Sequence, residues 1–170
     1  VPYTTLFRSN TLIALGVWSQ VETMRAYPFH DIEVWDQNSP GRVLFRASDA
    51  GLQNLGHIVE NSAVILALHE KLSKEEVEIH YELTVDRLFH NDEDIVVATT
   101  DGRQFGAKLV VGADGSSSRV RELTNIKIDQ SSYSQDAIVA QVGTQKSNKQ
   151  TAYQRFLSTG PLAFLPITDN

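Results

Sequence analysis

The chain contains no cysteine. That absence excludes disulfides, thiolate zinc sites, iron–sulfur clusters and cysteine nucleophiles together, and it leaves the redox compartment undecided. Long apolar runs are also missing. The longest, AVILAL (63–68) and LVVGA (109–113), fall far short of the ~20 residues that a membrane-spanning helix needs. Nor is there an excess of positive charge: 15 Lys and Arg stand against 21 Asp and Glu, a formal net charge of −6. A surface of that sign argues against nucleic acid or anionic lipid as the main partner, because phosphate binding needs a basic face. What is present is ordinary for a globular protein, with 41% hydrophobic and 21% charged residues among 170. A chain this long buries roughly 70% of its unfolded surface, enough for one good core or two small ones.

The two ends read differently from the middle. VPYTTLFRSN has no amphipathic period, and PYTTLFRS (2–9) resembles the translation of a common sequencing adapter. Residues 1–9 are therefore expected to be foreign and to be left out of the fold. The other end, FLPITDN, stops on turn residues after an apolar run. The expectation is a piece of a longer protein.

From Thr11 the spacing is helical: Leu12, Leu15, Val17, Val21 and Met24 recur until Pro28 ends the run. IEVWDQ (32–37) and RVLFRA (42–47) alternate apolar and polar residues across NSPG, which predicts a hairpin. GHIVEN (56–61) reads as a short buried strand. Asn61 is placed to N-cap a helix reaching Ser73, with Val64, Leu68 and Leu72 on one face and Glu70 and Lys74 as an i,i+4 pair. Strands are expected at VEIHYEL (77–83), VDRLFH (85–90), IVVATT (95–100) and RQFGAKLVVGA (103–113), turning at NDED and DG. More follow at 137–142, 152–157 and 162–165. The order predicts a mixed α/β fold with interleaved domains.

The segment that carries chemistry is AKLVVGADGSSSRVREL (107–123). LVVGA has the continuous apolar character of a strand buried on both faces. Asp114-Gly115 and three serines follow, predicting a turn into a helix N-terminus, where free N–H groups and the dipole favour anions. Small residues at 112 and 115 let a ligand approach the backbone. Asp114, Ser118 and Arg121 are spaced i, i+4, i+7 and share a face if the helix starts early. A carboxylate suited to ribose-type hydroxyls then lies near a guanidinium suited to phosphate. By itself, Asp-Gly is a turn dipeptide and Asn61 an ordinary cap. The five histidines show no metal-ligand spacing, and no metal site is expected. The serines lack a G-x-S-x-G setting, so a hydrolase nucleophile is not expected.

This run resembles the DG motif of flavoprotein hydroxylases: Lys108, the apolar 109–111, Gly112-Ala113, Asp114-Gly115, Ser118, Val120 and Arg121 all fit, while Ser117 stands where a charged residue is usual. LGHIVEN (55–61) and AYQRFLSTGPLAFLPITD (152–169) are similar to the ubiquinone-biosynthesis branch, the FAD-dependent polyprenylphenol hydroxylases. The resemblance runs from about Thr11 to Asn170, without the G-x-G-x-x-G unit that holds the ADP half of FAD. It implies a Rossmann-like FAD/NAD(P)-binding fragment, residues 10–27 and 56–128, interleaved with part of an antiparallel-sheet substrate domain, residues 28–55 and 129–170. It implies FAD as cofactor and NAD(P)H as co-substrate, with O2 and a prenylated phenol as the reacting partners. Asp114 and Gly115, with Ser118, would serve FAD, and Arg121 the phosphates of NAD(P)H. Asn61 matches a position whose side chain reaches the flavin, and Val85 one whose backbone meets adenine. Gln154, Arg155, Phe164 and Pro166 are substrate-side candidates. No side chain is expected to act as catalytic acid or base, since the cofactor carries the chemistry. Other ubiquinone-biosynthesis proteins, and peripheral contact of a cytoplasmic protein with the inner membrane, are further implications. The alternatives are a flavin hydroxylase of the same fold acting on a soluble aromatic acid, and a non-enzymatic domain that has lost FAD. A chain without the G-x-G-x-x-G unit is expected to be inactive alone.

Overall fold

The computed structural model describes residues 6–91 and 93–168. In chain order the elements are α1 (Leu6–Ala14), α2 (Trp18–Arg25), β1 (Ala26–Phe29), β2 (Asp31–Asp36), β3 (Arg42–Arg46), β4 (Gly56–Val59), α3 (Asn61–Leu72), β5 (Val85–His90), β6 (Ile95–Thr99), β7 (Gln104–Ala107), α4 (Arg119–Leu123), β8 (Thr151–Leu157) and β9 (Gly160–Phe164). They fall into two compact units, residues 1–77 with 138–170, and residues 78–137. The fold is mixed α/β, with three sheets among the described residues. Of the nine N-terminal residues expected to be foreign, 1–5 lie outside the described residues and 6–9 open α1.

In the first unit the single helix expected from Thr11 onward is two helices. Gly16 adopts φ 72, a left-handed conformation that costs glycine little, and its N–H bonds back to the Ile13 carbonyl at 2.9 Å. The break turns Val17 and Val21 inward, where they pack with Leu12, Val59 and Ala67, flanked by Trp18, Val64 and Leu68. α3 faces this core with the small Ala67 and with Val64 and Leu68, while Leu72 stays exposed. The expected Glu70–Lys74 pair is present at 2.8 Å. β4 pairs antiparallel with β1 and divides two cores: strand alternation sends Val59 to the first and Ile58 to a second with Phe29 and Ala152.

The predicted hairpin forms as β2 and β3, with Val34 opposite Val43. It is extended by β8 and β9 into one sheet of order β3-β2-β8-β9. This sheet is mixed rather than purely antiparallel, because β2 and β8 run parallel with Ile32 beside Ala152. Strands from residues 28–55 and from residues 129–170 thus share a ladder.

The second unit is the meander β5-β6-β7 with α4. Asp101-Gly102 closes the β6–β7 hairpin. Asp101 accepts the Thr99 hydroxyl at 2.6 Å and the Arg103 guanidinium at 2.7 Å, while Gly102 takes φ 89. At the other turn the Asn91 side chain accepts the Asp94 N–H at 2.7 Å; Asp92 of the expected NDED turn lies outside the described residues.

Two predicted strands, and the second half of a third whose first half is β7, are not strands. VEIHYEL, residues 109–113 and residues 137–142 have extended-strand patterning but no ladder partner among the described residues. A lone strand leaves its backbone groups unpaired, so pattern without a neighbour does not make a sheet. Leu109 and Val111, expected to be buried on both faces, are each 75% exposed.

Val21 is fully buried at the centre of the first core. Val21→Ala is expected to destabilise the chain by about 2 kcal/mol through lost burial and the cavity left behind. A urea midpoint equal to that of the parent would contradict the packing described.

Candidate functional site

The sequence that follows the 109–113 run builds a turn and a short helix. α4 begins at Arg119, and Ser118, itself buried, is its N-cap: the Ser118 hydroxyl oxygen accepts the Arg121 N–H at 3.0 Å. Asp114 lies outside the helix but completes the cap. One carboxylate oxygen accepts the Ser118 hydroxyl at 2.5 Å, and the other accepts the Val120 N–H at 3.1 Å. Four N–H groups at a helix start lack intrahelical partners, and this pair of residues satisfies two of them. The i, i+4, i+7 spacing therefore unites Asp114, Ser118 and Arg121 through hydrogen bonds rather than on one helical face.

Two glycines make the geometry possible. A Cβ at Gly112 would stand 2.9 Å from Val120 Cγ1, so only glycine lets the chain pass beneath that side chain. Gly115 takes φ 86, and the space where its Cβ would point is open.

The Ser118 hydroxyl, and after it the Val120 amide, hold the Asp114 carboxyl below its ordinary pKa, so it is ionised at neutral pH. The Arg121 guanidinium donates to the Ser116 carbonyl at 2.6 Å, which folds it back over the serine turn. Arg119 pairs with Glu122 at 3.2 Å and donates to the Asp86 carbonyl at 3.5 Å, tying α4 to β5. Val85, which opens β5, belongs to this same unit; the ladder with β6 shifts register between Val85 and Arg87.

Asn61 belongs to the first unit. It is the first residue of α3 and not its cap; that place falls to Glu60, whose extended backbone sends its carbonyl to Ala63 N–H at 3.1 Å. The Glu60 carboxylate accepts from Arg25 at 2.6 Å and from Gln141 at 3.3 Å. This link was not anticipated, and no local sequence signal marks a pairing so distant along the chain.

The substrate-side candidates also lie in the first unit. Gln154 and Arg155 are neighbours in β8, so the pleat sends them to opposite faces. Arg155 stands beside Trp35 on β2 and opposite Leu162 on β9, and its Nε is buried without a hydrogen-bond partner. Phe164 and Pro166 line a cavity of about 520 Å3 with residues 138–142 and 144. His57, beside Trp18 at 4.9 Å, also has a buried Nδ1 without a partner, and burial keeps its pKa below the ordinary value against the pull of Glu22.

No protein-family model matches the chain. It is 32% identical to the 3-demethoxyubiquinol 3-hydroxylase of Escherichia coli K12 over 95% of its length, covering 41% of that protein. It is 34% identical to the mitochondrial ubiquinone biosynthesis monooxygenase COQ6 of Danio rerio, again over 95% of the chain and covering 36% of the relative. The chain is homologous to the ubiquinone-biosynthesis hydroxylases. It spans about two fifths of the length of these relatives. The fold is that of FAD-dependent monooxygenases. A PqsL variant of Pseudomonas aeruginosa superposes with a TM-score of 0.71 at 20% identity, covering 93% of this chain and 44% of PqsL. A variant of Klebsiella pneumoniae HpxO solved with FAD gives 0.65 at 14% identity, covering 99% of this chain and 45% of that one.

The residues of the turn fit a flavin dinucleotide. Asp114 is exposed and ionised; of the about four lone-pair sites of a carboxylate, the Ser118 hydroxyl and the Val120 amide take two, and the Asp114 and Arg119 amides bear on it more weakly. The rest suit the hydroxyls of a polyol, and the open side of Gly115 admits a ligand to the backbone.

The cap predicts a sign for pH dependence. Because the Asp114 pKa is lowered, the stability its ionised form lends to α4 is present above the ordinary carboxylate value and is lost as pH falls through the lowered one. Ser118→Ala is expected to raise the Asp114 midpoint toward the ordinary value in a carboxyl-detected NMR titration. An unchanged midpoint would contradict the hydrogen bond as its cause.

Proposed function

We propose that this chain is part of a longer FAD-dependent, NAD(P)H-using monooxygenase that hydroxylates the ring of a polyprenylphenol in ubiquinone biosynthesis. The observation that carries the reading is sequence identity of 32% and 34%, sustained over 95% of the chain, with two ubiquinone-biosynthesis hydroxylases. The capped turn supports it from the side of the chemistry. Asp114 and Gly115, with Ser118 fixing the carboxylate, hold FAD, and the Val85 backbone adds a contact to it; Asn61, in the first unit, is a separate flavin-side candidate. Arg121 serves the phosphates of NAD(P)H, since its fork has five donors and the Ser116 carbonyl engages one nitrogen. When bound, FAD supplies the electron transfer that activates O2, which no amino-acid side chain provides.

The protein's part is to bind, orient and keep water out. Residues 10–27 and 56–128 form the cofactor-binding portion. Residues 28–55 and 129–170 form the substrate-side sheet, with β2, β3, β8 and β9 in one ladder. Gln154, Arg155, Phe164 and Pro166 stand on the substrate side, and no side chain is assigned as general acid or base. Among the described residues no helix is long and apolar enough to cross a membrane. Peripheral contact with a bilayer that stores the prenylated substrate is part of this reading. Other proteins of ubiquinone biosynthesis are the natural partners for handing that substrate on.

The longer protein is expected to purify yellow and to oxidise NAD(P)H in the presence of a prenylated phenol, placing one atom of oxygen from O2 in the ring. The 170-residue chain alone should be colourless. A colourless longer protein would refute the cofactor, and equal turnover of a soluble aromatic acid would refute the substrate class. Arg121→Ala should stay yellow, with flavin reduction about tenfold slower at limiting NAD(P)H and a raised KM for it, from loss of one charge-assisted contact. Wild-type reduction kinetics in stopped flow would remove Arg121 from that role.

A further inference from the structure

The guanidinium groups of this chain are mostly spoken for. Arg25, Arg42, Arg87, Arg103 and Arg119 each pair with a carboxylate, and Arg121 donates to the Ser116 carbonyl. Arg46 is exposed to solvent. Arg155, in the middle of β8, is different: the residue is half-buried, and its Nε–H is buried with no acceptor. Buried donors are nearly always hydrogen-bonded and buried charges paired, so an orphan of this kind asks for a partner from outside the chain. We propose that Arg155 anchors the ionised oxygen of an aromatic ring, the phenolate of the substrate. The choice of phenolate among aromatic anions rests on the reading of the substrate as a phenol.

The sheet shows why no residue of the chain fills the place. Residues paired across a ladder share a face. The register puts Trp35 beside Arg155 and Glu33 beside Tyr153, and β3 adds Arg42 on the other side of Trp35. On β9 the residue opposite Arg155 is Leu162, which offers no acceptor. Glu33 is the carboxylate of this face closest in register to Arg155, and Arg42 holds it at 2.5 Å. Two guanidinium groups thus flank Trp35, and one carboxylate serves them. The charge of Arg155 is left uncompensated.

The surroundings suit a ring. Trp35 stands edge-on to Tyr153 with ring centres 6.3 Å apart, and the Arg42 guanidinium lies 5.5 Å from the Trp35 ring centre, so the indole is fixed from both sides. The Tyr153 hydroxyl donates to the Asn148 carbonyl at 3.5 Å and does not turn to Arg155. Leu162, 44% exposed, gives the place an apolar border. An aromatic anion uses both features: its oxygen accepts from Nε, and its ring covers Leu162. A guanidinium stays protonated, so the phenol's proton goes to solvent and Arg155 takes none. Its fixed positive charge favours the anion over the neutral phenol. Arg155 anchors and ionises the ring without acting as a base.

The test is an absorbance titration of this chain with 4-nitrophenol, with 4-nitroanisole and 4-nitrobenzoate as comparison probes and the Arg155 Nε–H NMR signal as local reporter. 4-Nitrophenol is expected to shift that signal saturably, and the pH midpoint for ionisation of the bound phenol should fall below its value in buffer. 4-Nitroanisole, which has no acidic proton, should bind about tenfold more weakly. Arg155→Met should abolish the fall in midpoint. Arg155→Lys, which keeps the charge and loses the Nε donor, should retain only part of it, and it decides alone if the other variant does not fold. The Ala152 and Trp35 amide signals report that β2 and β8 stay paired. An unmoved Nε–H signal, a bound phenol with its midpoint in buffer, or the parent's midpoint in either variant would overturn the anchor. 4-Nitrobenzoate binding as tightly as 4-nitrophenol would overturn the phenolate assignment in favour of a carboxylate. The titration needs no flavin. Its failure leaves the FAD reading standing, and a colourless longer protein whose Arg155 still lowers the midpoint would remove that reading alone.

Discussion

The Asp114 carboxylate takes the Ser118 hydroxyl on one oxygen and the Val120 amide on the other, and the local path of the chain from Gly112 to Arg121 follows from those two bonds. They set where α4 begins, place Ser118 so that it accepts the Arg121 N–H, and bring Val120 down over Gly112. They also keep the carboxylate ionised. An anion held in this way, with lone pairs left over and open space beside Gly115, is a fixed acceptor. A fixed acceptor binds ligand hydroxyls without the ordering cost that a free aspartate on a mobile loop would carry. The same dipeptide at Asp101-Gly102 shows what happens without such a helix: the carboxylate is taken up by Thr99 and Arg103, and the turn does no more than close a hairpin.

In the first unit the corresponding constraint is the parallel pairing of β2 with β8. It joins segments far apart in the sequence and brings the β8–β9 hairpin beside the β2–β3 hairpin. The sheet gives Trp35, Tyr153 and Arg155 a common face, with Trp35 edge-on to Tyr153 at 6.3 Å and the Arg42 guanidinium 5.5 Å from the Trp35 ring centre. The cavity at the other edge of the sheet depends on the same arrangement, because β8 and β9 form one of its walls.

Local patterns in the sequence carried much of this. The alternation of IEVWDQ and RVLFRA across NSPG, the apolar helix after Asn61, and the strands at 85–90 and 95–99 all follow from side-chain period and turn residues. Residues whose outcome depends on a neighbour were not legible in the same way. VEIHYEL, LVVGA and residues 137–142 have strand patterning, but a strand exists only where a second one accepts its hydrogen bonds. Gly16 was readable as a possible break only by weighing its left-handed tendency against an unbroken apolar period. The shared ladder of β2 and β8, and the Arg25–Glu60–Gln141 link, are long-range pairings that no window of sequence encodes. At the site, Asp114 and Gly115 stood out by motif. The motif did not reveal that the carboxylate first serves its own helix, because Ser118 had two possible places, inside α4 or at its cap.

In the proposed longer protein the ionised, capped Asp114 is an acceptor for FAD. The most direct measurement is the Kd for FAD of Asp114→Asn against the parent, by flavin fluorescence on apoprotein, with the Val120 and Arg121 amide NMR signals reporting whether α4 is retained. Loss of a charged acceptor facing ligand hydroxyls predicts FAD binding about tenfold to a hundredfold weaker while those signals still report the helix. Unchanged FAD affinity with the carboxylate gone would show that Asp114 serves only the fold.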